Sequence, residues 1–217
     1  MSPIGKFIVL DGGNGAGKST VLKAIETYLR ARGEQVVMTR EPGGTRIGEK
    51  IREVILAPET GEMCDVTELM LFAAARAQHV QEKIRPALAR GEIVVSDRFD
   101  SATVSFQHHA RGLSLELIHQ LNEMAVQGLK PDMTIILDLD PAIGLQRVHS
   151  RGEGLDRLEK EHMEFLEKAR AGYLIQARAR SERFVVIDAT APLDEVITQA
   201  LEIVERTLRV SKRAPRY

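Results

Sequence analysis

Asp11-Gly12-Gly13-Asn14-Gly15-Ala16-Gly17-Lys18-Ser19-Thr20 follows an apolar run, Phe7-Ile8-Val9-Leu10, and precedes a helix-length amphipathic stretch from Lys18 to Arg32. Gly12 to Ser19 satisfies the spacing Gly-x-x-x-x-Gly-Lys-Ser. Glycines in this pattern let backbone N–H groups turn inward around a phosphate. The lysine then reaches the β- and γ-phosphates, and the hydroxyl after it suits Mg²⁺. A flexible Gly-rich turn is the plain alternative, but the strand before and the helix after are the context that a phosphate loop requires.

Outward from this loop the pattern repeats. Val36 to Thr39, Ile93 to Ser96, Met133 to Leu139 and Phe184 to Ile187 are further short apolar runs, each followed by a helix-length stretch. Ile93-Val94-Val95 and Thr134-Ile135-Ile136-Leu137 are apolar on both faces, as parallel strands covered by helices on each side are. Gly33 and Gly91 stand where helices should stop before the second and third strands. The expected fold is α/β, a five-stranded parallel sheet flanked by helices. Residues 1–210 form one domain with a small lid at about 147–157, and 211–217 is a basic tail. Ligands of such a sheet sit at the carboxyl ends of the strands.

The 217 residues carry Lys+Arg 30 against Asp+Glu 31, a net charge of -1 that disfavours a nucleic-acid polymer as partner. Hydrophobic residues make up 43% and aromatics 4%, with no Trp, so the core must be aliphatic. Cys64 is the single cysteine, which excludes an intrachain disulfide and a cysteine zinc site. Without a signal-like start or a membrane-length apolar run, the expected compartment is the cytoplasm. There is neither an Asn-Lys-x-Asp guanine-reading motif nor an apolar strand ending in Asp-Glu, which disfavours a GTPase switch or a water-activating ATPase.

The second run ends in Thr39-Arg40-Glu41-Pro42-Gly43-Gly44-Thr45 and the third in Ser96-Asp97-Arg98-Phe99. Two strand ends thus deliver an arginine each, and a planar guanidinium fork suits a second phosphorylated substrate. Asp97 is a candidate for Mg²⁺ through water, and surface ion pairs are the alternative for both arginines. Asp65 to Arg90 reads as a long helix, with Asp65 and Glu68 as a capping-box-like start. Its apolar stripe holds Leu69, Phe72, Ala73, Val80 and Ile84, and Arg76 falls inside it, where a charge needs a partner. Phe72 and Arg76, four apart, suit stacking on a planar base and donation to its carbonyl. The same spacing also suits a core Phe72 and an Arg76 that reaches solvent. Arg147 and Arg151 lie one turn apart before Gly152-Glu153-Gly154 and Asp156-Arg157, an arrangement that reads as a lid closing on donor phosphates or as a solvated basic helix end.

Together these segments resemble the thymidylate kinase family of nucleoside monophosphate kinases. Arg40-Glu-Pro-Gly-Gly-Thr45 is the most specific of them, joined by Leu69 to Ala77, Asp97-Arg98, Thr103 to Gln107, Arg111-Gly112, Pro131-Asp132, Asp156-Arg157 and Ile187-Asp188-Ala189. The resemblance implies transfer of the ATP γ-phosphate to dTMP with Mg²⁺, a sheet ordered 2-3-1-4-5, and a homodimer. It assigns Gly12, Gly13, Asn14, Gly15, Ala16, Gly17, Lys18, Ser19, Thr20, Arg147 and Arg157 to ATP, and Ser19 and Asp97 to the metal. To the acceptor it assigns Asn14, Arg40, Phe72, Arg76, Arg98, Thr103, Phe106, Gln107 and Tyr173. Lys18, Asp97, Arg98 and Arg151 would carry catalysis, because the phosphate loop holds no arginine and the chain resembles the bacterial type whose lid supplies one. Asp188 to Pro192 would border the adenine.

Three changes around the acceptor depart from the family pattern. Asn14 stands where the family has Asp or Glu near the sugar 3′-hydroxyl, Phe106 replaces Tyr, and His108-His109-Ala110 replaces a Gly-rich turn. They permit a kinase of a modified deoxynucleoside monophosphate as an alternative, and a non-catalytic nucleotide-binding regulatory module is the second. If lost charge at position 14 is a handicap, Asn14→Asp should raise dTMP activity.

Overall fold

A computed structural model describes residues 5–60, 62–150 and 156–210. Five strands, β1 (Phe7–Gly12), β2 (Val36–Arg40), β3 (Ile93–Asp97), β4 (Met133–Asp138) and β5 (Phe184–Asp188), form one all-parallel sheet in the order β2-β3-β1-β4-β5. Both the fold class and the strand order agree with the sequence reading. β1 is central and buried along its whole length.

Alternation along β1 sorts its side chains between two layers. Ile8 and Leu10 face α1 (Lys18–Ala31) and α9 (Leu193–Arg209), packing with Val21, Ile25, Leu29, Ala200 and Val204. Phe7 and Val9 face the opposite layer and meet Val80, Ile84, Val94 and Phe99. The Phe7 and Phe99 rings meet edge to face at 4.9 Å. As expected from the aliphatic composition, most of the core is Val, Ile and Leu.

The remaining elements frame the carboxyl end of the sheet. α2 (Arg46–Leu56) starts at Thr45, whose Oγ1 accepts from Gly48 N at 3.0 Å. α3 (Asp65–His79) continues through a π-turn at Val80–Ile84 into α4 (Arg85–Ala89), so the expected long helix exists with a bulge inside it. Its start is not a capping box. Cys64 is the N-cap, and Glu68 is buried and occupied by tertiary partners. α5 (Asp100–Thr103) runs into a π-turn at Val104–Ala110, followed by α6 (Leu115–Val126), α7 (Pro141–His149) and α8 (Met163–Ala179). Gly33 and Gly91 both take positive φ just past α1 and α4, the helix stops that the sequence suggested.

Candidate active site

A cleft of about 270 Å³ opens at the carboxyl ends of β1, β2 and β3. Its lining includes Lys18 and Ser19 from the loop and start of α1, and Phe72, Arg76 and Gln107 from α3 and the π-turn after α5. Between β1 and α1 the chain turns through Gly15 and Gly17, both at positive φ. Gly17 is the N-cap of α1 and contributes no side-chain cap, and a helix N-terminus of this kind, with its positive dipole end at the loop, suits an anion. The Lys18 ammonium arches back over the loop and donates to Gly12 O at 3.2 Å and Gly13 O at 2.9 Å.

Asp11, fully buried, organises the floor. Its Oδ1 accepts from Gly12 N, from Arg98 at 3.1 Å and from the Tyr173 hydroxyl at 2.6 Å, and its Oδ2 accepts from Ser101. Arg98 also donates to the Tyr173 oxygen and to Asn14 Oδ1, each at 2.8 Å, with its guanidinium 5.3 Å from the Phe106 ring centre. Burial works against the Arg98 charge, but Tyr173, Asp11 and Asp97 outweigh it, so its pKa lies above the usual arginine value. Burial and the Asp11 charge push the Tyr173 hydroxyl well up. The backbone of Arg98 has φ +70, an uncommon value for a residue with a Cβ, and its N–H is held by Leu10 O at 2.9 Å.

Arg40, at the end of β2, is exposed and forked onto Glu49, with the closer contact at 2.8 Å. Its neighbour Glu41 is buried. One carboxylate oxygen accepts from Arg76 Nε at 2.8 Å and the other meets His79 Nδ1 at 2.9 Å. Arg76 is 1% exposed and does not reach solvent. It donates also to Asn122 Oδ1, Phe99 O and Thr103 Oγ1. Its charge in the apolar stripe therefore has the partner that burial demands. Thr103, one of the residues the sequence singled out, is a support for Arg76 in this arrangement. Phe72 is half-buried at the cleft wall.

Glu68 holds three donors at once: Gln107 Nε2 at 2.8 Å, Arg111 at 3.1 Å and the Arg157 guanidinium. Burial pushes its carboxyl up, and Arg111, Gln107 and Arg157 overcome that and leave it below the usual carboxylate range. Arg157 was expected over the donor phosphates. It is buried instead, 8% exposed, and also donates to Ile55 O at 2.8 Å. Arg147 sits nearer that region, with a long 3.4 Å contact to Gly15 O. Arg151 lies outside the described residues, as does much of the expected lid.

Ser19 and Asp97 line the same cleft. Asp97 Oδ1 is buried without a hydrogen-bond partner among the described residues, an arrangement that favours a ligand. A hydroxyl and a carboxylate oxygen are hard donors, and Mg²⁺ in nucleotide sites takes one or two such groups with phosphate and water completing the shell. These residues fit that ion.

Several contributors were not singled out as site residues by the sequence. Arg52, on α2, lines the cleft and donates to Pro42 O at 2.9 Å. Asn122 arrives from α6, and Asp156, Leu158 and Glu159 come from the end of the expected lid and the turn beyond it. Glu68 had a readable signal, because it borders the same apolar stripe that made Arg76 conspicuous.

The sequence profile of the thymidylate kinase family matches residues 10–200 of this chain. A thymidylate kinase of Geobacillus thermodenitrificans is 45% identical over 210 residues, covering 96% of this chain and 93% of the relative. That of Desulfosudis oleivorans is 47% identical over 95% of this chain and 99% of its own length. That of Pseudomonas savastanoi pv. phaseolicola is 50% identical over 88% and 91%.

Proposed function

This chain belongs to the thymidylate kinase family and transfers the γ-phosphate of ATP to dTMP, forming dTDP, and we propose that the cleft divides that work among its residues as follows. The backbone of Gly12 to Thr20 wraps the ATP phosphates, with Lys18 on the β- and γ-phosphates and Arg147 at their outer side. Ser19 and, through water, Asp97 would hold Mg²⁺, which when bound would supply positive charge to neutralise the ATP phosphates. Arg40 and Arg98 orient the acceptor phosphate, Phe72 stacks on thymine, and Arg76 and Gln107 donate to the base. Thr103 holds Arg76, while Tyr173, Phe106 and Asn14 border the sugar.

The acceptor oxygen is already anionic, so the reaction needs alignment and charge stabilisation more than a general base. Arg98 and Lys18 supply fixed positive charge on opposite sides of the transferring group. Arg151 is proposed to complete that charge from the lid. The observation that carries this reading is a single cleft whose lining joins Lys18 and Ser19 of the phosphate loop with Phe72, Arg76 and Gln107.

The relatives' names do not favour a modified acceptor or a non-catalytic module. Homodimerisation is proposed through α3 and α6, which pack on each other and expose Val66, Met70, Leu115 and Met124. No helix among the described residues is long and apolar enough to cross a membrane. A cytoplasmic setting is proposed, in keeping with one exposed free thiol at Cys64.

Coupled measurement of ADP release with a panel of nucleoside monophosphates tests the assignment. dTMP-dependent release of order 10 s⁻¹ is expected, a typical enzymatic turnover. Release with a base- or sugar-modified monophosphate but not with dTMP, or ATP binding without any acceptor-dependent release, would overturn it.

A further inference from the structure

Asn14 Nδ2 donates to Glu159 Oε1 at 3.2 Å while Asn14 Oδ1 accepts from Arg98 at 2.8 Å. One short amide therefore joins a carboxylate on the turn after the lid to a guanidinium at the end of β3. Glu159 is itself held in place. Its Oε2 accepts from Asp156 N at 3.1 Å, and Asp156 Oδ1 accepts from Glu159 N at 2.8 Å, a reciprocal box that fixes the turn. The intervening Arg157 fastens the same turn to α2 and α3, donating from its backbone N–H to Leu56 O, from Nε to Ile55 O, and from its guanidinium to Glu68.

We propose that Glu159 is a positioning residue, which through Asn14 fixes the Arg98 guanidinium for the acceptor phosphate, and that position 14 carries an amide because Glu159 already supplies the carboxylate. The proposal rests on the assignment of Arg98 above. Asn is short enough for this gap and both donates and accepts, which an acidic side chain does not do when ionised. Aspartate at position 14 would still accept from Arg98, but it would face Glu159 across hydrogen-bond distance, where one carboxylate must take a proton or move away. The loss of charge at position 14 is therefore a fit to Glu159. Asn14→Asp lowers dTMP activity in this chain, the reverse of the expectation drawn from the sequence.

Glu159→Gln supplies the matching reversal. Its Oε1 can accept from Asp156 N while its Nε2 donates to an aspartate at position 14, so the double variant restores every hydrogen bond with donor and acceptor exchanged. The experiment is a double-mutant cycle on the full chain, Asn14→Asp, Glu159→Gln and both together, with ATP and dTMP varied separately and a thermal melt of each protein. Asn14→Asp should raise the dTMP KM by about tenfold with the ATP KM within about twofold, and the double variant should return to within about threefold of the parent. Losses that multiply in the double variant, or an ATP KM that rises as far as the dTMP KM, overturn the proposal. If a single substitution unfolds the chain and the double variant refolds without regaining the parent dTMP KM, the contact is structural and the positioning role is overturned. A parent protein without dTMP-dependent ADP release overturns the Arg98 assignment and this proposal with it, whereas multiplicative losses in an active enzyme overturn this proposal alone.

Discussion

Glu41 shows how much one carboxylate can carry at this site. It is 4% exposed and accepts from Arg76 on one oxygen and meets His79 on the other, and both partners are buried. Removing one member of such a cluster leaves charge without a counterion in a medium that solvates it poorly, at a cost of about 3–5 kcal/mol. Glu41→Ala should lower the melting temperature by roughly 10 °C, since about 1 kcal/mol shifts a chain of this size by a few degrees. It should also weaken dTMP binding, because Arg76 loses its Nε anchor. Calorimetric melts of the two proteins check this, and a shift under about 2 °C would show that the neighbours relax to replace the carboxylate. At this scale the sequence was partly legible. A charge inside the α3 stripe announced that Arg76 needs a partner, but its identity was not readable, because Glu41 lies 35 residues away and the sheet brings it there. Glu68 is the harder case. Four residues into the helix it has the look of a cap; its place beside the stripe marks it, but its partners Gln107, Arg111 and Arg157 converge on it from 39 to 89 residues away and could not be named.

Elements were more legible than their contacts. Each strand shows as an apolar run, most plainly β1, β3 and β4, which are buried on both faces and so leave a pattern within five or six residues. The phosphate loop shows because its glycines are fixed by backbone geometry. What the pattern omits is how closely helices approach the loop. α7 meets it backbone to backbone, so that a Cβ on Gly15 would lie 2.2 Å from Gly144 O, and one on Gly144 would lie 2.4 Å from Asn14 O. Neither neighbour is a flexible side-chain end, and the two segments must separate if either gains a methyl group. Gly144→Ala, though favourable for an isolated helix, should therefore push α7 off the loop and destabilise by about 1–3 kcal/mol, the usual cost of overpacking. Because the loop is displaced with it, the ATP KM should rise more than the dTMP KM. Urea unfolding and initial rates at varied ATP measure both effects. A more stable protein with unchanged ATP KM would mean that the helix shifts without disturbing the loop.

For the whole molecule, a net charge of -1 conceals a concentration of buried ionic groups at one end of the sheet. Asp11, Arg98 and Tyr173 form one cluster, and Glu68, Arg111 and Arg157 form another. Each shifts stability with pH in a direction fixed by its folded-state pKa. Glu68 lies below its unfolded value, near 4.3, so the stability it contributes is present above that pH and lost as the pH falls further. Tyr173 lies well above its unfolded value, near 10, because burial and Asp11 oppose phenolate. Its contribution is complete below that pH. Above it the unfolded chain releases a proton that the folded chain keeps, and stability falls by about 1.4 kcal/mol per pH unit. Tyr173→Phe removes this proton, so it should lower stability at pH 8 through the lost hydrogen bonds to Asp11 and Arg98 yet flatten the alkaline limb. Urea unfolding from about pH 9 to 11 tests this, since the unperturbed tyrosine value falls inside that window. The variant's free energy should converge on the parent's as pH rises. Parallel curves for the two proteins would mean that Tyr173 ionises as readily in the fold as outside it, and that the Asp11 cluster is open to solvent.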